Sequence, residues 1–308
     1  INGSQARVMT SAQFNALSDE QISSLGTNAI ASLTTSVITN ITDLTKFANI
    51  STSQIQALTI SQVKSLTSTQ LGAFTVDQIS SLSIEDVKVL NSDQVRALSA
   101  DQLAGLSTSQ IQALSSANVS QLKTEQLNAL NTAQIKAMTS LQIKALTSTQ
   151  LNVLVTEDLQ AIDASDIAAI DAAAIGALTT DQLTSLTTAQ VKALTSAEVR
   201  AISSTNIASL KSEQIKSLST SVLATLTANQ IIKIDPAKIS TLDTSQIKAF
   251  GTTQVRALTS DQLNGLTSTQ LQAISNAGIA SISTPNLNAL LSSQVALFTT
   301  AQIQALTS

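Results

Sequence analysis

The sequence predicts an all-α solenoid, a superhelix of very short capped helices with one helix per eight-residue repeat. Three observations carry that expectation. From Ile55 to Ile303 every eighth residue is Ile, Leu or Val, over 32 consecutive positions. Three residues after each comes a second row, Leu58 to Leu306, that holds only Leu, Ile, Met or Phe. A spacing of three puts both rows on one face of a helical turn, whereas the face of a strand needs a spacing of two. The third observation is a start signal. Thr59 is followed three residues later by Gln62, Thr67 by Gln70 and Thr187 by Gln190. This is the spacing of a capping box, in which hydroxyl and amide each satisfy a backbone N–H at the helix start.

The units can be followed in order. The first five pair Ala6 with Met9, Phe14 with Leu17, Ile22 with Leu25, Ile30 with Leu33 and Ile38 with Ile41. The next pair, Phe47 and Ile50, arrives nine residues on instead of eight, and the register never changes again. We therefore expect N-terminal repeats in a first register over residues 1–41, a register slip and candidate bend at 42–50, and a continuous octapeptide array over 51–308. Counted through Ile303 and Leu306, the chain holds 38 units.

Within the array, the residue just before the first apolar row is Gln at 21 of 32 positions, which makes the capping box the rule. Asn, Asp or Glu takes seven more, leaving Ala174, Val222, Lys238 and Gly278. Where the usual cap position holds Lys123, Val155, Lys211, Gly251 or Leu291, the next residue is Thr124, Thr156, Ser212, Thr252 or Ser292, so the cap is expected to move by one. Pro236 follows Asp235, at the first helical position where a missing N–H costs nothing. Acidic residues such as Asp77, Asp101, Glu213 and Asp261 fall early in the unit, and most basic ones, such as Lys64, Arg96, Lys192 and Arg256, fall late. That order matches the helix dipole. The residue before the second row is usually small, as at Ala57, Gly105, Ala145 and Gly265, which fits closely packed turns.

A helix of this length is far below the ~12–15 residues at which isolated helices become marginal. Neighbouring units must therefore cover each other's apolar rows and backbone, as in a solenoid. The sequence does not fix the number of units per coil, and an alternation of 16-residue helix pairs is one arrangement it allows. A β-solenoid is the rival fold, because Thr, Ile and Val also suit strands. It leaves the capping boxes and the charge order without a cause.

Composition narrows the function. Apolar residues make up 43% of the chain, too many for plain disorder despite the Ser, Thr and Gln content. With 16 basic against 20 acidic residues the net charge is −4, which disfavours nucleic acid as a partner. No run of apolar residues is long enough for a membrane span. Cys and His are absent, so neither a thiolate nor an imidazole is on hand, and a general base would have to be a perturbed Asp, Glu or Lys. There is no Gly-rich phosphate loop or nucleophile elbow. We assign no catalytic, cofactor-binding or metal residues and expect no cofactor. Asp163, Asp166 and Asp171 form the densest acidic stretch, but the ligand spacing of a calcium loop is missing, and helix caps account for Asp163 and Asp171. Phe74, Phe250 and Phe298 fall in the second row and read as core, with an exposed docking surface as the lesser alternative. Asn2-Gly3-Ser4 and Asn40-Ile41-Thr42 match the glycosylation acceptor pattern, a weak signal that matters only in a secretory host.

The segments Leu58-Thr59-Ile60-Ser61-Gln62-Val63-Lys64-Ser65 and Leu186-Thr187-Thr188-Ala189-Gln190-Val191-Lys192-Ala193 share the form L-T-x-x-Q-I-x-A. In this the chain resembles the long threonine- and glutamine-rich octapeptide tracts of very large secreted bacterial surface and adhesin-like proteins, and the likeness covers nearly all of it. The resemblance implies an extracellular or cell-surface location, a role as fibre, stalk or matrix element, and no catalytic residues. Neither the irregular unit around Ala6 and Met9 nor the closing Thr307-Ser308 pair looks like a dedicated polar cap. The expected partners are accordingly further repeats of the same polypeptide, other copies of the chain, or a cell-surface or matrix component. An adhesin or other macromolecule-binding solenoid is the alternative function. Ice binding through the adjacent hydroxyls, as at Thr267-Ser268, is a minor one.

Overall fold

Each repeat folds as one short helix, and most start with the capping box that the sequence predicts. The computed structural model describes residues 1–306; the Thr307-Ser308 pair lies outside the described residues. Over these residues the chain forms 38 helices, α1 (Gly3–Arg7) to α38 (Thr300–Leu306), and no strand. The architecture is an all-α solenoid, and the β alternative falls away.

The repeat α18 (Ser140–Lys144) shows how eight residues make one helix and one turn. Thr139 is extended at φ −75°, ψ 158°, and its hydroxyl accepts the Gln142 N–H. The Gln142 side chain reaches back to accept the Thr139 N–H at 2.8 Å. Both orphan donors at the helix start are thus satisfied. At the other end a second-row residue leaves the helix and turns extended, as Leu194 does at φ −56°, ψ 136°. Its successor is already the next cap. Among the described residues none has positive φ, so the turn makes no demand for glycine.

The caps at the irregular positions differ from expectation. The helix start does not shift by one. Lys123, Val155, Lys211, Gly251 and Leu291 remain the caps, without a side-chain hydrogen bond. The Lys123 and Lys211 amides are still received by Gln126 and Gln214, at 2.9 and 2.8 Å. Half a capping box is enough because the repeat's start is also fixed by packing of its apolar rows. At Pro236 the expected arrangement is present, with the Asp235 carboxylate accepting the Ala237 N–H at 2.7 Å.

Within each compact unit the helices pack chiefly on those three before and three after them. In the first half α14 (Thr108–Ala113) lies against α11 (Ile84–Lys88) and α17 (Thr132–Ala137). In the second, α29 (Ala228–Lys233) lies against α26 (Ser204–Ser209) and α32 (Thr252–Ala257). Three repeats therefore close one coil, in place of the 16-residue pairs that the sequence also allowed. The first apolar row forms the centre of each coil, with Ile55, Val63, Leu103, Val191 and Ile247 fully buried, and the second row packs just outside it. Phe74, Phe250 and Phe298 are buried with that row. Phe74 meets Phe47 at a ring separation of 5.4 Å and a tilt of 38°.

By compactness the chain divides into two units, Ile1–Leu154 and Val155–Ser308. The second begins with three successive repeats whose position before the first row holds Asp158, Asp166 and Ala174 in place of glutamine. In the first, the nine-residue step is taken up ahead of α6 (Thr45–Ala48), where the Asp43 carboxylate accepts from the Thr45 N–H at 3.1 Å and its hydroxyl at 2.6 Å.

Candidate functional site

The most heavily used side chain in the molecule is the glutamine of the capping box, and capping is only half its work. In the first unit Gln142 is 1% exposed. Its Oε1 accepts from the Thr139 N–H and hydroxyl at 2.8 and 3.2 Å. Its Nε2 donates to the Ile111 and Leu114 carbonyls, at 2.7 and 2.8 Å, 31 and 28 residues earlier. An amide side chain offers two donors and an acceptor oxygen with two lone pairs, and here all of that capacity is used. The same clip recurs at Gln62, Gln94, Gln190, Gln230 and Gln262. Each clip fastens a helix start to the helix-to-turn junction of the coil before it.

Replacements at this position divide the task by chemistry. Asp86 can only accept, and it caps Ser83 without donating to an earlier coil. Lys46 and Lys238 can only donate, and each reaches one earlier carbonyl at 2.6 Å, Leu17 and Ala208 respectively. Asn118, Asn206 and Asn286, one methylene shorter, each donate to the carbonyl 28 residues back, those of Leu90, Leu178 and Leu258. The register slip is absorbed by the same device. Gln54, Gln62 and Gln70, whose reach crosses the inserted residue, clip 32 and 29 residues back, and Gln78 returns to 31 and 28.

Three carboxyls have a displaced proton affinity. Thr45 holds the Asp43 carboxyl below its ordinary value, first through its hydroxyl and then through its N–H. Asp243 is lowered in the same way, mainly by the Ser245 hydroxyl and then the Gln246 N–H. Burial raises Glu198, and hydrogen bonds from Thr195 oppose the rise.

The acidic stretch does not converge. Asp163 and Asp171 sit at successive helix caps, Asp171 accepting the Ala173 N–H at 2.9 Å, and Asp166 occupies the buried glutamine position between them. Among the described residues no group of three or more His, Cys, Asp or Glu is placed to hold a metal ion, and no helix is long and apolar enough to cross a membrane. An open, mainly polar cleft of about 680 Å³ lies between α1 and α4 (Thr27–Ser32), lined by Asn2, Ser4, Arg7 and Asn28 among others. It holds no pair of groups set for acid–base or nucleophilic chemistry. The repeat-built architecture has no catalytic constellation among the described residues.

Six stretches, residues 47–84, 85–116, 119–156, 151–196, 188–220 and 239–276, match the ALTTAQ repeat, together more than half of the chain. The chain belongs to the ALTTAQ repeat family. The family's signature can be read on the fold. In Leu186-Thr187-Thr188-Ala189-Gln190, leucine is the second-row core residue, the first threonine the cap and glutamine the clip. No curated protein matches the chain. Among solved structures, the leucine-rich repeat-containing protein LegL7 from Legionella pneumophila aligns over 88% of this chain and 92% of its own at 15% identity. The TM-score of 0.17 is too low to relate the two folds.

Proposed function

We propose that this ALTTAQ-repeat chain is a structural element: a fibre, stalk or surface-layer component, extracellular or at the cell surface, built by stacking coils of the same repeat. The observation that carries this reading is the clip, through which most repeats offer donors to the coil before them and carbonyls to the coil after them. Such an interface is heterologous and has no built-in stopping point.

The two ends of the described solenoid support the reading. Gln5, Gln13 and Gln21 cap their own helices, yet all three are exposed and their Nε2 atoms donate to no carbonyl. At the other end α36 (Thr284–Asn288) and α37 (Ser292–Val295) bury no residue of their own. Val295 and Ile303, members of the row that is buried from Ile55 through Ile279, are 39% exposed. The first end leaves amide donors open and the second leaves apolar residues open. Further repeats or another copy, docked head to tail, would satisfy both. Within the array, residues 42–50 are the proposed place for a bend.

Light scattering and mass measurement over a concentration series test the assembly. Linear oligomers that lengthen with concentration are expected. A strictly monomeric 308-residue chain throughout the series would remove head-to-tail assembly and leave only the spacer role within a longer polypeptide.

A further inference from the structure

One clip is defeated by its chemistry and not by its fit. Glu198, on α25 (Ser196–Ala201), is 2% exposed. One carboxylate oxygen accepts the Thr195 N–H at 2.5 Å. The other, Oε1, is buried without any hydrogen-bond partner. In neighbouring repeats the second end of this side chain is an amide donor: Gln190 serves the Leu159 and Ile162 carbonyls, and Gln214 those of Leu183 and Leu186. The same steps of 31 and 28 residues lead from Glu198 to Ile167 and Ile170, both buried. The Ile167 carbonyl receives the Ile170 N–H at 3.1 Å, while no described donor reaches that of Ile170. An acceptor stands where the repeat requires a donor.

We propose that Glu198 is a proton-operated clip: its protonated carboxyl donates from Oε1 to the Ile170 carbonyl and fastens α25 to the preceding coil, and loss of that proton to solvent loosens this seam. The seam is otherwise tight. α25 packs on α22 (Ala172–Gly176) so closely that a Cβ on Gly176 would lie 2.6 Å from the Ala201 carbonyl. The charged groups on the elements around it are few. Asp163 and Asp166 lie on or before α21 (Ala164–Ile167), Asp171 caps α22, and Arg200 is exposed on α25 itself. On the other side α28 (Thr220–Leu223) brings none, and α29, whose Gln230 clips the Val199 and Ile202 carbonyls, brings only the exposed Lys233. No described cation forms an ion pair with Glu198. Burial therefore dominates and holds the carboxyl above its ordinary value of 4.5. For an acid raised in the folded state, the contribution to stability is fully present below the ordinary value. It declines as pH rises through the raised one and is constant above it.

The test uses the full chain as wild type and as Glu198→Gln, Gln190→Glu and Asp166→Asn. Glu198→Gln is expected to raise the thermal midpoint near neutral pH and to leave it unchanged below the ordinary carboxyl value. Amide exchange in α22 and α25 should slow in parallel. Gln190→Glu should introduce a second loss of the same pH dependence, and Asp166→Asn should leave the original one in place. Carboxyl carbon NMR of Glu198 in the wild type provides a reading that needs no variant, with a titration midpoint above 4.5 expected. A midpoint at or below that value, or a Glu198→Gln effect equal at both pH values, overturns the proposal. So does loss of the pH step in Asp166→Asn, which would assign it to Asp166.

Discussion

Glutamine is chosen at the box position because it is the one uncharged side chain that can accept from its own cap and still donate across the coil. Leaving a buried polar group unpaired costs about 1–3 kcal/mol, so a residue that satisfies four groups at once is hard to replace. Gln142→Ala would strip the Thr139 N–H of its acceptor and leave the buried Leu114 carbonyl without a donor. We expect a loss of about 2–4 kcal/mol, read most clearly as lost amide protection in α18 and at the end of α14. Gln142→Glu should keep the cap and lose the clip, and so fall between the two near neutral pH. The capping half of this role is legible in the sequence, because Thr139 and Gln142 are three residues apart. The clipping half is not, because Ile111 and Leu114 lie 31 and 28 residues away and no local rule connects them. A trace was present nonetheless. A capping box and a helix dipole accept Glu as readily as Gln, yet among 32 positions Glu occurs once, at Glu198. That bias asks for the amide's N–H₂ group.

At the scale of the helix, each element combines a start signal with two core residues, and a defect in one is carried by the other. Lys211 starts α27 (Ser212–Ser217) with no side-chain cap, yet Ile215 is fully buried. Lys211→Ser should therefore add a missing hydrogen bond and stabilise by about 0.5–1 kcal/mol, seen as a higher denaturation midpoint. Sequence reasoning misplaced this cap onto Ser212 because it weighed capping chemistry alone and could not weigh packing. Glycines differ in the same contextual way. Gly176→Ala would press a methyl group onto the Ala201 carbonyl, whereas at Gly26 nothing lies within 4 Å of the added carbon. The first substitution should lower the thermal midpoint clearly and Gly26→Ala should leave it nearly unchanged. Asp243 gives a pH test of a single cap. Its folded value lies below the ordinary 3.8, so its contribution is present above that value and is lost as pH falls through the lowered one. Asp243→Ser keeps a capping oxygen and should remove that acid-side decline, measured as the difference between the two melting profiles below the ordinary value.

At the scale of the molecule, the repeat is a rule for extension, and stability in such arrays is a sum of unit and nearest-neighbour terms. The two apolar rows and the 38 units were legible as sequence, but the coil was not. Periodicity reports which residues face inward and says nothing of how far the chain turns per repeat, which depends on the extended second-row residue, such as Leu194. Three repeats per coil, fastened coil to coil mainly by glutamine, is the claim on which the structural role rests. Because the chain has no cysteine, spin labels can be placed at will, and exposed Gln112, Asn128 and Lys136 lie on α14, α16 (Thr124–Asn128) and α17. The most direct measurement compares label pairs at 112 and 136, three repeats apart, with pairs at 112 and 128, two repeats apart. The account predicts that the pair more distant in sequence is the closer in space, near the ~8–10 Å spacing of packed helices before the reach of the labels is added. A shorter distance between 112 and 128 would contradict the three-repeat coil.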